Sequence, residues 1–256
     1  MAKIYTQINF EDPTYNTHPN FLAGIECEVE SINYVDAAVP SFKAEADGSL
    51  RNNGTEFISV PLEREHLINE FKNLHANIVF HDKKEAFSPR TSTHVHVNVR
   101  NLDEVNVKNM LLFYALFEEF FFAMVNPVRR ENIHCVPLNE TLLPTKYKQS
   151  IWALAKGWHK YTALNLLPIM KLGTVEFRHL QGTDDDALLD RWLKTLENLW
   201  TLCQVQAITP TTLTNEKTIE EWFKTIFKDA PEIMALAPTL KTTIANSLID
   251  VKLSQL

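Results

Sequence analysis

The chain has 256 residues, 45% of them hydrophobic and 22% charged, with a formal net charge of −7. That length supports a sizeable core in one large domain or two small ones, the composition is that of an ordinary globular protein, and the negative balance argues against non-specific nucleic-acid binding. Three widely spaced cysteines, Cys27, Cys135 and Cys203, with no CxxC pair, argue against a disulfide framework or a thiolate zinc site and fit a reducing, cytoplasmic compartment.

Residues 1–20 show no period, and MAKIYTQINFEDP has no apolar signal core. Strand alternation begins at about 22–34, followed by a turn at AEADGSL (44–50) and a second strand, GTEFISVPL (54–62). Leu67, Ile68, Phe71, Leu74 and Ile78 fall at helical spacing. The THVHVNV strand (93–99) comes next. Asp103 is then placed to cap a long helix to about Val125, rich in Phe113, Phe117, Phe120 and Phe121 and so expected to be buried against a sheet. Its apolar run, 110–125, is broken by Glu118 and Glu119 and falls short of the ~20 residues of a membrane span, so no membrane partner is expected.

Pro127 is expected to end that helix, with NPVRRENIHC (126–135) as a loop. Pro144 is expected to open another helix, to about Gly157. KYTALNLLPI (160–169) has the pattern of a strand and GTVEFRHL (173–180) that of its hairpin partner. From Asp184 the pattern is helical almost to the end, with Leu188, Leu189, Trp192, Leu196, Leu199 and Trp200 on one face. The layout predicts an α+β fold, an antiparallel sheet with helices covering its apolar face.

Three strand segments concentrate the chemistry. Alternation puts Glu26, Glu28 and Glu30 on one face of GIECEVE (24–30), His94, His96 and Asn98 on one face of THVHVNV, and Glu176 and Arg178 on one face of GTVEFRH (173–179), opposite Val175 and Phe177. An ordinary solvated face is the simplest account of any one of them. Brought together in one sheet, they form a carboxylate cluster that is costly without cations. Glu26 and Glu28, roughly 7 Å apart on a strand, can hold one or two hard divalent ions with a further acid at Glu56. Glu176 beside Arg178 offers a metal ligand next to an anion contact, or simply an ion pair. Arg129, Arg130 and Lys160, in or beside loops, are either solvated or clamps for phosphate or a substrate carboxylate. Five of only six glycines, Gly24, Gly48, Gly54, Gly173 and Gly182, lie in or beside the polar-strand segments. No GxxxxGKS loop, GxGxxG turn or GxSxG elbow is present.

GIECEVE, DGSLRNNGTEFISVPL, THVHVNV, NPVRRENIHC, KYTALNL and GTVEFRHLQGT occur in this order over about residues 22–200. In this the chain resembles the amidoligases of bacteria and phages, in the carboxylate–amine ligase superfamily of glutamine synthetase and γ-glutamylcysteine synthetase. The resemblance implies a single catalytic domain over 1–256, with its motif-bearing core at about 22–200 and a helical part at about 184–256. It implies a glutamine-synthetase-like curved antiparallel sheet whose concave face holds ATP and Mg²⁺ or Mn²⁺. It implies joining of a small-molecule or peptide carboxylate to an amine through an acyl phosphate, in the cytoplasm, the host's for a phage protein. Carried over by motif, Glu26, Glu28, Glu56, His96 and Glu176 are metal ligands. Arg178, His94, Lys160 and Arg129 contact the nucleotide, and Glu176, Arg178 and Arg130 are the catalytic set. Where relatives often have Arg-Tyr before LNL, this chain has Lys160-Tyr161. Two other classes remain open on the residues alone: a metal-dependent hydrolase using the His-x-His strand, and a non-catalytic binding module on the same fold.

Overall fold

The computed structural model describes residues 2–138 and 143–255. Its strands are β1 (Ala23–Val29), β2 (Ile32–Val35), β3 (Phe42–Glu45), β4 (Thr55–Ser59), β5 (Ile78–Phe80), β6 (Ser92–Asn98), β7 (Leu164–Asn165) and β8 (Thr174–Gln181). Six of them form one sheet in the order β3-β4-β1-β6-β8-β7, and β2 and β5 form a separate ribbon. Every ladder is antiparallel. The expected α+β architecture is therefore present, and the three chemistry-bearing segments are adjacent central strands.

The helices are α1 (Arg64–Asn77), α2 (Glu104–Ala123), α3 (Leu143–Lys146), α4 (Ile151–Lys156), α5 (Ile169–Leu172), α6 (Asp186–Val205), α7 (Glu216–Phe227), α8 (Pro231–Met234), α9 (Leu240–Thr243) and α10 (Ala245–Ser254). Ile25, Cys27 and Val29 of β1, Val95 and Val97 of β6, and Val175 and Phe177 of β8 all point into one core with α2 and α6. Phe177 stands between Tyr114 and Trp192, with ring centroids 6.0 and 6.5 Å away. A second layer follows, in which Phe113 and Phe120 of α2 pack on Trp222 and Phe223 of α7 at 5.0 and 4.8 Å. Burial of this many aromatic side chains is the main driving force for closing the sheet. Glu118, in the middle of α2, is fully buried and accepts from Tyr114 Oη at 2.7 Å and from the Leu138 N–H, so the acid that interrupts the apolar run is a bonded core residue. No helix among the described residues is long and apolar enough to cross a membrane. Cys27, Cys135 and Cys203 are buried free thiols.

Several elements differ from their sequence expectations. The strands expected at about 22–34 are β1 and β2, which fall in different sheets, with Ser31 between them at a left-handed φ of 57°. Asp103 occupies the N-cap position of α2 without a capping side-chain bond, and instead lies 3.6 Å from Lys3. That helix ends at Ala123, before Pro127, which opens a 3₁₀ turn, Pro127–Glu131, where a loop was expected. The helix expected from Pro144 to about Gly157 is two short ones, α3 and α4, the second starting after Ser150, whose hydroxyl caps Ala153 N–H. The long strand expected at 160–169 shrinks to Leu164–Asn165. Thr162 turns back on His159, Val136 and Thr162 form a parallel bridge, and Pro168, which has no N–H to give a ladder, leads into α5. Gly173, whose φ of 64° caps α5, admits no Cβ, which would strike Arg100 and Phe10.

Candidate metal and anion site

Sheet register brings the polar side chains together. Glu26 stands opposite His94 and Gly24 opposite His96 across β1–β6, while His96 stands opposite Glu176 across β6–β8. The result is a compact cluster. Glu26 Oε2 is 3.2 Å from His94 Nδ1 and Oε1 is 3.1 Å from His96 Nε2. His94 Nδ1 is also 3.5 Å from Glu176 Oε1, which carries the Arg178 guanidinium. Asn165 of β7 donates to Glu176 Oε2 at 2.6 Å. One ligand atom each from Glu26, His96 and Glu176 lies within 4.8 Å of the others, a span a single divalent ion can bridge.

The two imidazoles are not equivalent. Ser92 gives its hydroxyl to Glu28 Oε2 at 2.8 Å, so His94 Nε2, 2.8 Å from the same hydroxyl oxygen, is in a donor position. His94 Nδ1 faces carboxylates, which only accept. Both ring nitrogens of His94 thus face other side chains, Nε2 Ser92 and Nδ1 the carboxylates of Glu26 and Glu176. His96 bonds Thr174 through Nδ1 at 3.0 Å, while its Nε2 is off hydrogen-bond geometry with Glu26 and has no other partner. His96 is the imidazole that falls in the three-residue group with Glu26 and Glu176. Burial opposes charge on Glu26, but contact with His94 and His96 outweighs it and holds the carboxyl well below the usual range. Burial likewise opposes charge on His96, and Glu26 and Glu176 outweigh it, raising the imidazole above its ordinary value.

A second acidic group lies across β1 from the first. Glu28 pairs with Glu56 of β4, Glu45 of β3 pairs with Glu56 on its other side, and Asp47 closes over from the β3–β4 turn. Glu28, Asp47 and Glu56 each bring an oxygen within 4.8 Å of the others. Among the described residues, no side-chain cation is paired directly with these three acids. Burial first, then Glu26, Glu28, Asp47 and Glu45, push Glu56 up to about 7. The carboxylate cluster expected from the sequence is thus two different things: a half neutralised by imidazoles and arginine, and a half that is not.

At the β6–β8 ladder the register shifts. Thr93 pairs with Leu180 and Val95 with Phe177, so Arg178 and His179 together stand opposite His94. Arg178 turns to the polar face, where Nε donates to His134 O at 3.0 Å, and His179 turns into the core, where it meets Tyr114 Oη at 2.9 Å. Burial first, then Arg129, pushes His179 down to about 3, so it is a neutral core imidazole.

Seven of the sequence-derived candidates meet on this face: Glu26, Glu28, Glu56, His94, His96, Glu176 and Arg178. Three are engaged otherwise. Arg129 is 2% exposed, and its Nε and Nη2 donate to His179 O and Arg178 O at 3.0 and 2.7 Å. It clasps the two carbonyls of the bulge. Arg130 pairs with Glu119 at 3.1 Å and lies over the Phe122 ring, both on α2. Lys160 is exposed, its ammonium 4.5 Å above the Tyr161 ring. Glu30 does not join the cluster either, since its carboxylate accepts from Arg51 N–H at 2.8 Å. Sequence reasoning missed Asp47, Ser92 and Asn165. Asp47 had a signal, an acid in the turn between two strands that both carry glutamates. Ser92 and Asn165 had none beyond facing the same side as His94 and Glu176.

An antiparallel sheet carrying acids, imidazoles and an arginine on its polar face defines a candidate centre for metal and anionic ligands. The family model described as "Putative amidoligase enzyme" matches residues 28–200, and the chain belongs to that family. No curated protein matches the chain.

Proposed function

We propose that the protein is an ATP- and Mg²⁺-dependent ligase that joins a carboxylate to an amine on a glutamine-synthetase-like sheet. The observation that carries this is the cluster of Glu26, His96 and Glu176 with Arg178 seated on Glu176, in a chain of the amidoligase family. Glu26 and Glu176 would supply the carboxylate oxygens that Mg²⁺ or Mn²⁺ prefers, and His96, once its Nε2 gave up the proton shared with Glu26, would supply a nitrogen. Glu28, Asp47 and Glu56 give a second oxygen-only set. The ion supplies neutralisation of phosphate charge. With a metal held by Glu176, Arg178 would be the guanidinium placed to offer its donor fork to phosphate oxygens.

A carboxylate does not react with an amine unaided, because its leaving group is oxide. In the proposed reaction the substrate carboxylate oxygen attacks the γ-phosphorus of ATP and the bond to ADP breaks. The amine nitrogen then attacks the acyl carbon, phosphate leaves with the bonding electrons, and the nitrogen gives up one proton. The protein's part is to hold the reacting groups in line and keep water away, and Glu28, His94 and Glu176 are all more than nine-tenths buried.

The His-x-His hydrolase is the weaker reading because only His96 of the two falls in the group with Glu26 and Glu176, while His94 faces Ser92 through Nε2 and Glu26 through Nδ1. Calorimetry with ATP tests the proposal: affinity is expected to collapse on addition of EDTA. ADP release is then measured with a panel of carboxylates and amines. Parent-level turnover in Glu176→Gln or Arg178→Ala refutes the assignment, as does tight ATP binding without metal.

A further inference from the structure

A cavity of about 500 Å³ opens just past the carboxyl-terminal end of β1, walled by Glu30, Arg51, Lys84, Glu85, Phe87 and Arg90. Its place in the fold is informative. Glu30 is two residues beyond Glu28, about 7 Å at strand rise, so the cavity continues the face that carries the acids. Glu30 is only 3% exposed. Arg90 donates to Ser49 O at 3.3 Å and ties this wall to the β3–β4 turn that bears Asp47.

The backbone around the cavity is unusual as well. Ser31, Asn52 and Asn53 are the non-glycine residues with left-handed φ among the described residues, at 57°, 51° and 58°. Asn52 lines the cavity and donates to Glu85 Oε2 at 3.2 Å, and Ser31 follows Glu30 directly. Asparagine takes this conformation readily in turns, so Asn52 and Asn53 set the shape of the wall locally.

The lining carries both signs of charge. Arg51, Arg90 and Lys84 supply donors for a carboxylate, with two guanidinium forks among them. Glu30 and Glu85 supply acceptors for an ammonium and repel a polyphosphate. Phe87 gives one apolar wall. We propose that this cavity is the seat of a zwitterionic amino-acid substrate, held by its carboxylate and its ammonium together, at the end of the strand that carries Glu26 and Glu28. The proposal rests on the ligase reading for its role but not for its test.

The test is ligand-observed NMR on the full chain in EDTA, without nucleotide, using the twenty common L-amino acids, their des-amino analogues and inorganic triphosphate as probes. At least one amino acid is expected to bind, about tenfold or more tighter than its des-amino analogue and than triphosphate. Arg51 and Arg90 are exposed, so R51A/R90A is expected to fold, checked by circular dichroism, and to weaken that binding about tenfold or more. Absence of binding by every amino acid overturns the proposal. Equal binding of the des-amino analogue or of triphosphate overturns it too, the latter marking a phosphate seat, and so does unchanged affinity in R51A/R90A. MgATP binding, measured separately by calorimetry, distinguishes the two failures. If MgATP binds and no amino acid does, only the cavity assignment falls. If an amino acid binds and MgATP does not, the ligase reading falls.

Discussion

Glu56→Gln separates the unmatched acids from the matched ones. Glu56 sits at about 7 against an ordinary 4.5, so between those values the folded protein holds a proton that the unfolded chain gives up. A carboxyl raised in this way contributes stability that is complete below pH 4.5 and is lost as pH rises through about 7. At 1.36 kcal/mol for each pH unit the full displacement corresponds to about 3 kcal/mol. The side chain is partly open to solvent, and screening reduces this to about 1–2 kcal/mol. Glutamine mimics the protonated form. The variant is therefore expected to melt like the parent at pH 5 and a few degrees higher at pH 8, about 2–8 °C for a chain of this size. The assay is a pair of thermal melts in EDTA at the two pH values. A variant destabilised equally at both, or a difference between variant and parent that does not change with pH, refutes the reasoning.

Divalent binding at Glu28, Asp47 and Glu56 must displace the Glu56 proton, so calorimetry with Mg²⁺ near pH 7 is expected to depend on the buffer's ionisation enthalpy, about half a proton being released per ion; no buffer dependence removes Glu56 from the ligand set. Arg129→Lys keeps the charge but loses the fork on Arg178 O and His179 O, and is expected to cost about 2–4 kcal/mol in denaturant unfolding. An unfolding midpoint unchanged in Arg129→Lys means the clasp is dispensable. Gly173→Ala places a Cβ against Arg100 and Phe10 at φ of 64° and is expected to lower stability by about 2 kcal/mol or more. A melt equal to the parent's contradicts the close packing there.

The sequence displayed the three central strands clearly because their alternation is long and chemically polarised. Period two over seven residues, with Ile25, Cys27 and Val29 set against Glu26 and Glu28, has no helical alternative. The short elements were not legible. β3 is four residues, FKAE, too brief for alternation to stand out from the turn that follows. β5 begins at Ile78 directly after α1, with no glycine or proline between, so Ile78 also satisfied the helical spacing. β7 is two residues because its neighbours are drawn into the bridge with Val136 and the turn at Pro168, both tertiary facts. In the site, residue type and alternation located Glu26, His96, Glu176 and Arg178. They did not reveal that His94 would be spent on Ser92 and Glu26, nor that Arg129 would face inward. Loop arginines have no period, and only the packed fold decides whether a guanidinium meets solvent, ligand or backbone carbonyls.

The β8 bulge connects the core to the chemistry. Alternation alone puts Arg178 beside Glu176 and His179 on the core side with Tyr114, and the extra residue shifts the register so that both stand opposite His94. An extra residue in a strand leaves carbonyls without ladder partners, and buried carbonyls need donors. Arg129 supplies two. The position of Arg178 over Glu176 is therefore fixed by a residue that touches neither carboxylate, and Asn165 on the neighbouring strand fixes the other oxygen of Glu176. It follows that the site's geometry is controlled from its back and its edge as much as from its acids. Changes to Arg129 or Asn165 should disturb the Glu176–Arg178 pair while leaving the net charge of the acid and imidazole cluster as it is.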